Sequence, residues 1–174
     1  PDELYNMSLD ENLAVPNFGN QNQIIKEYQK RQARRLIAEG QAVESMKGGM
    51  VIVATIPSDK LFMPNDTILY AGGNKELQHY LRFLKVEGQY RVLLAMHSDN
   101  TGTAAYTDEI TSKRVLAVLD WLQANAVNSD YVIPYAMGAS EPLRQNNSLT
   151  NRSINRRLEI YLVPGIKMVD MASK

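Results

Sequence analysis

At 174 residues the chain fits one domain with an extension. With 44% of residues hydrophobic it can bury a core unaided, and the absence of cysteine excludes a disulfide scaffold, a thiolate metal site and a cysteine nucleophile. Nineteen basic and nineteen acidic residues balance, so no global field points to nucleic acid, and no nucleic-acid partner is expected.

Residues 1–19 mix Asp, Glu, Asn, Pro and Gly without periodicity and read as an extended lead-in or linker. Residues 20–39 read as a helix with Ile24, Ile25, Tyr28, Leu36 and Ile37 near one face. Its Lys30, Arg31, Arg34 and Arg35 could meet an anionic polymer or lipid, but a charge run of this kind is more often a solvated face. From residue 42 the pattern changes: AVESMK, Gly48-Gly49 and MVIVATI read as a β-hairpin or two successive strands around a Gly-Gly turn. After Pro57, LFMPNDTIL reads as a loop with apolar anchors. Residues 73–85 then read as a helix striped by Leu77, Leu81 and Leu84.

The run VLLAM at 92–96 is continuously apolar, as expected of a strand covered on both faces. HSDNTGTAAYT, at 97–107, is rich in turn formers and ends that strand. A second helix is predicted over 108–124, buried through Val115, Val118, Leu119 and Leu122. A strand follows at 131–137, where Pro134 argues for an edge position or a bulge. A polar loop over 138–154 leads to a last strand, 156–163. The alternation predicts an α/β (α+β) fold with helices packed on a sheet, preceded by an extra N-terminal helix. No stretch approaches the ~20 apolar residues of a membrane helix. No secretory leader is legible, and the start at Pro1 suggests that an upstream part has been removed.

Three segments match a known pattern in order and spacing. The first, Leu61, Phe62 and Leu69, resembles L-F followed by a leucine seven residues after the Phe. The second, His97-Ser98-Asp99-Asn100-Thr101-Gly102 and then Thr107 to Val115, resembles H-T-D-x-x-G followed by N-x-x-L-S-x-x-R-A. The third runs from Asn146 and Ser148 through Asn151-Arg152 to Asn155-Arg156-Arg157-Leu158-Glu159-Ile160. It resembles N-x-T/S-x-x-G-R-x-x-N-R-R-V-E-I. Over residues 42–164 the chain thus resembles the OmpA-like C-terminal peptidoglycan-binding domain.

The resemblance implies a β-α-β-α-β sandwich with a mixed sheet over residues 41–164. Residues 1–40 would then be a linker and helix, and 165–174 a C-terminal tail. It also implies a non-enzymatic module, without cofactor or metal, that binds the diaminopimelate residue of peptidoglycan stem peptides. Such a module would sit on the periplasmic side of the outer membrane, tethered through a part upstream of Pro1, as in a lipoprotein or an outer-membrane protein.

The chemistry can be argued from the ligand class. The free end of diaminopimelate carries an ammonium and a carboxylate side by side, so its site needs a fixed anion and a fixed cation. Asp99, on the turn after the central strand, is assigned to the ammonium. Arg114 is expected near the start of the next helix and is assigned to the carboxylate as a fork. By themselves the two could equally form a structural ion pair. Arg156 runs in phase with Leu158, Ile160 and Leu162 and is expected to reach the site, whereas Arg157 runs with Glu159 and Tyr161 as a solvated or structural residue. Thr101 and Thr107 complete the candidate set, and Thr107 could alternatively be only a helix N-cap.

Two departures stand out: Thr107 replaces an Asn of the pattern, and the acid expected soon after Phe62 is replaced near Met63. Asn151 in place of Gly is expected to keep a positive φ. The departures motivate one alternative, an interaction module of the same fold that has lost wall binding. A hydrolase built from the adjacent His97, Ser98 and Asp99 is disfavoured, because neighbours on one loop do not form a nucleophile–base chain and no G-x-S-x-G elbow exists. His79, off its leucine stripe, is expected to be exposed and no metal ligand.

Overall fold

In the computed structural model, which describes residues 2–173, the apolar runs pair into one five-stranded sheet. In chain order its strands are β1 (Ala42–Met46), β2 (Val51–Pro57), β3 (Tyr90–His97), β4 (Val132–Gly138) and β5 (Arg157–Pro164). Their spatial order is β1-β2-β5-β3-β4, with only the β3–β4 pair parallel. β1 and β2 pair in regular antiparallel register and are joined through the Lys47–Gly49 turn, where Gly48 takes φ 66°. β4 pairs with β3 alone, so Pro134 sits on an edge strand where its missing N–H costs nothing.

The helices are α1 (Asp2–Tyr5), α2 (Leu9–Asn12), α3 (Asn22–Ala38), α4 (Ala71–Gln78), α5 (Ala104–Asn125), α6 (Leu149–Asn155) and α7 (Met168–Ala172). α3 and α5 cover one face of the sheet. Ile25 and Leu36 from the first, and Val115, Val118, Leu119 and Leu122 from the second, join Ile52, Leu94, Met96, Leu158, Ile160 and Leu162 in the main core. The buried Gln29 satisfies itself by donating to Met50 O and Leu162 O and accepting from Tyr90 Oη.

Several sequence expectations are corrected. Residues 1–19 are not an extended lead-in: α1 and α2 fold back over the other face of the sheet, where Leu4, Leu9 and Leu13 meet Val51, Leu93, Ile133 and Val163. α3, predicted over 20–39, buries Ile25, Gln29 and Leu36, but Ile24 and Ile37 face solvent, the latter 56% exposed. The helix predicted over 73–85 breaks after Gln78 and resumes as a 3₁₀ turn over Leu81–Leu84. The polar stretch 138–154 is not all loop, because Ser148 caps α6 by accepting from Asn151 N–H. Asn151 therefore has helical backbone and no positive φ. The tail after Pro164 forms α7, whose Met168 is buried against the core.

Candidate functional site

The site forms where β3 stops. The chain leaves the sheet at His97, and Asp99 turns back to accept from Thr101 N–H at 2.9 Å, an Asx turn ahead of Gly102, whose φ is +92°. Thr103 then caps α5 by accepting from Tyr106 N–H. The helix thus starts four residues earlier than predicted, with two consequences. Thr107 is not the N-cap but lies inside the helix, donating to Ala104 O. Arg114 is not near the helix start but in its middle, so the helix dipole does not help it hold an anion.

An open cleft of about 260 Å³ lies here, lined by Asp99, Thr101, Thr107, Arg114 and Arg156. All five residues singled out in the sequence therefore converge on one space. Asp99 and Arg114 do not form the ion pair that was the alternative reading for them. Arg114, only 4% exposed, donates through Nε to Asp66 O (2.8 Å) and through Nη2 to Met63 O (3.1 Å), and its guanidinium lies 4.9 Å from the Phe62 ring centroid. Burial depresses its pKa from the ordinary arginine value.

Arg156 is the ion-pair centre. As the C-cap of α6 it precedes β5 rather than belonging to it. Its Nη1 donates to Asp99 Oδ2 at 2.7 Å, while Nε and Nη2 fork onto Asp59 at 3.1 and 3.0 Å. The bond to Asp59 raises the Arg156 pKa most, against the opposing pull of burial. Arg156 in turn holds the Asp59 carboxyl below its usual range. For Asp99 burial pushes upward, but the Thr101 and Arg156 bonds prevail and hold the carboxyl low. Arg157 points to the other face of the sheet, buried, bonded to Glu159, Asn155 O and Glu141 O: a structural partner, as its strand phase indicates.

Sequence reasoning missed Asp59, Asn65, Tyr106 and Ile110, which also line the cleft. The pattern expects an acid soon after Phe62, near Met63; a second carboxylate does line the cleft beside Asp99, but it is that of Asp59, before the motif, on the 3₁₀ turn Ser58–Lys60 that follows β2. Its signal was an unassigned Asp just beyond a strand end. Of the disfavoured hydrolase parts, His97 is buried with Nε2 2.6 Å from Glu159 Oε1 and does not line the cleft. His79 is half-buried rather than exposed, 3.4 Å from Glu39. Among the described residues no group of three or more His, Asp or Glu is placed to hold a metal, and no helix is long and apolar enough to cross a membrane.

Comparisons with known proteins converge. The model of the OmpA family matches residues 61–156, more than half the chain. The peptidoglycan-binding protein ArfA of Mycobacterium tuberculosis is 31% identical over 79 residues, 45% of this chain and 24% of that protein. The peptidoglycan-associated lipoprotein of Buchnera aphidicola is 26% identical over 83 residues, 48% of each chain. The chain thus spans about a quarter of the first relative and half of the second. Among solved structures, a MotB-like protein of Desulfovibrio vulgaris superposes with a TM-score of 0.70 at 21% identity, covering 84% of this chain and 99% of its own. The cell wall anchor of the T6SS from Pseudomonas aeruginosa gives 0.64 at 28% identity, covering 77% and 95%. The mixed five-stranded sheet with its helices is the fold of these neighbours, and the chain belongs to the OmpA family, whose members are binding proteins rather than enzymes.

Proposed function

We propose that the chain binds peptidoglycan through the free amino-acid end of diaminopimelate, anchoring its parent protein to the cell wall on the periplasmic side of the outer membrane. The relatives named for peptidoglycan binding, for peptidoglycan association and as a wall anchor support the ligand and the envelope location. The wall-binding unit in this reading is residues 41–164, braced by residues 1–40 and 165–174.

One observation carries the chemical assignment: Arg114 is a buried guanidinium on an open cleft whose hydrogen bonds all go to neutral carbonyls. A buried cation without a bonded counter-ion is costly, and a ligand carboxylate at its Nη1 edge would supply one. Asp99 has spare lone pairs after accepting from Thr101 and Arg156, and takes the ligand ammonium. Arg156, clamped by Asp59, fixes Asp99 in place. The hydroxyls of Thr101 and Thr107 are the neutral contacts of the same cleft. Two carboxylates face two guanidiniums, so the lining is charge-balanced and suits a zwitterion better than a simple ion.

Co-sedimentation with purified diaminopimelate-type peptidoglycan tests this. The wild-type chain is expected to pellet, with Asp99→Ala and Arg114→Ala left in the supernatant though folded by circular dichroism. A wild-type chain that stays in the supernatant would overturn wall binding and leave an interaction module of the same fold as the reading to pursue.

A further inference from the structure

A second cleft, of about 130 Å³, adjoins the first and shares Asn65, Tyr106 and Ile110 with it. Its remaining walls are Thr67, Glu109 and Lys113. Two of the shared residues are joined into a bar: Tyr106 Oη donates to Asn65 Oδ1 at 2.7 Å. Both ends of the bar are built. Asn65 holds φ +60°, a left-handed conformation that Asn tolerates better than most residues. The Tyr106 ring lies over Gly102, where an added methyl group would come within 2.9 Å of Tyr106 Cδ1. Beyond the bar, Lys113 Nζ pairs with Glu109 Oε1 at 2.8 Å, one turn apart on α5.

We infer that the two clefts are one ligand groove, and that the outer compartment takes the carboxylate of the stem-peptide residue next to the diamino acid, with Lys113 as its cation. The inference rests on the wall-binding reading above and names what determines specificity beyond the diamino acid. Lys113 directly precedes Arg114, so the two cations lie about 100° apart on one helix, one lining each compartment. The neighbouring stem-peptide residue is joined to the diamino acid through its γ-carboxyl, so its free α-carboxylate stands well away from the end held by Arg114, and a ligand lying along the wall that the two clefts share presents it to Lys113. Glu109 is then a competitor for the same ammonium, and its removal works in the ligand's favour.

Titration calorimetry with two probes tests this: free meso-diaminopimelate, and the tripeptide L-alanyl-γ-D-glutamyl-meso-diaminopimelate, whose glutamyl residue carries a free carboxylate. The wild-type chain is expected to bind the tripeptide about three- to five-fold tighter than the free diamino acid, the range of an exposed ion pair. Lys113→Met is expected to abolish that gain and Glu109→Gln to increase it, with neither changing the affinity for free diaminopimelate. Equal tripeptide gains in the wild type and Lys113→Met would overturn the outer compartment while leaving the inner site standing. Failure of the wild type to bind either probe would overturn both.

Discussion

At the scale of single residues the site is a problem of charge placement. Arg156 bridges Asp59 and Asp99, which fixes the anion side, while Arg114 is held by two carbonyls and fixes the cation side. Lysine cannot replace either arginine without losing a donor, because each uses at least two nitrogens in a fixed plane. The Arg156 bonds also make a pH prediction. Both carboxyls are held below the ordinary aspartate value of 3.8. A depressed folded-state pKa means that the pairs stabilise the protein fully above the unfolded value and that this is lost as pH falls through the folded values. Thermal unfolding midpoints should therefore be flat in this respect above pH 4 and fall below it. Asp59→Asn with Asp99→Asn should flatten part of that acid limb, which calorimetry across pH 2–5 would show. An unchanged limb would mean that the site pairs contribute nothing to acid stability.

Among elements, the N-terminal segment is the least expected. Asn12, fully buried, donates through one amide nitrogen to Leu4 O and Tyr135 Oη, and its own carbonyl accepts from Arg91. Tyr135 Oη then donates to Met7 O, and Tyr5 Oη to Val132 O, so α1 and α2 are tied to the edge strand β4 by polar bonds around a small apolar patch. Asn12→Ala removes the amide bonds to Leu4 O and Tyr135 Oη, at a cost of about 0.5–1.5 kcal/mol for each. Its chemical-denaturation midpoint should drop accordingly, and amide exchange over residues 2–13 should accelerate while wall binding is kept. The same attention to ends explains α6. Asn155 accepts from Leu143 and Arg144 N–H and donates to Arg144 O and Asn146, so the Asn of the closing motif ties down the loop that leads into α6 and Arg156.

On the scale of the whole molecule the two flanking segments belong to the core. Ile25 and Leu36 of α3 are completely buried, and α7 packs against the same helix through Met168. Fully burying one such side chain is worth about 1.5–3 kcal/mol. Trimming the chain to residues 41–164 should therefore lower the unfolding midpoint by well over 10 °C, or prevent folding, since 1 kcal/mol shifts a domain of this size by roughly 2–4 °C. Differential scanning calorimetry of the two lengths decides it, and equal midpoints would show that residues 1–40 and 165–174 are dispensable.

Strand and helix periodicity, the Gly48-Gly49 hairpin and the edge position of β4 were legible in the sequence, because each depends on local backbone preference or on which face of an element is apolar. The order and spacing of Asp99, Thr107, Arg114 and Arg156 were legible too, since motif spacing places residues at the same end of a sheet. Side-chain pairing was not. Whether Asp99 meets Arg114 or Arg156 depends on how Ser58–Lys60, the 63–66 loop and α6 pack together, and those contacts join residues 50 to 100 positions apart. The fold-back of residues 2–13 was hidden for the same reason: polar, aperiodic sequence can still be ordered when the rest of the chain supplies its hydrogen-bond partners. Local chemistry determined the elements and the candidate residues; only tertiary packing decided which charge neutralises which, and left Arg114 without a carboxylate.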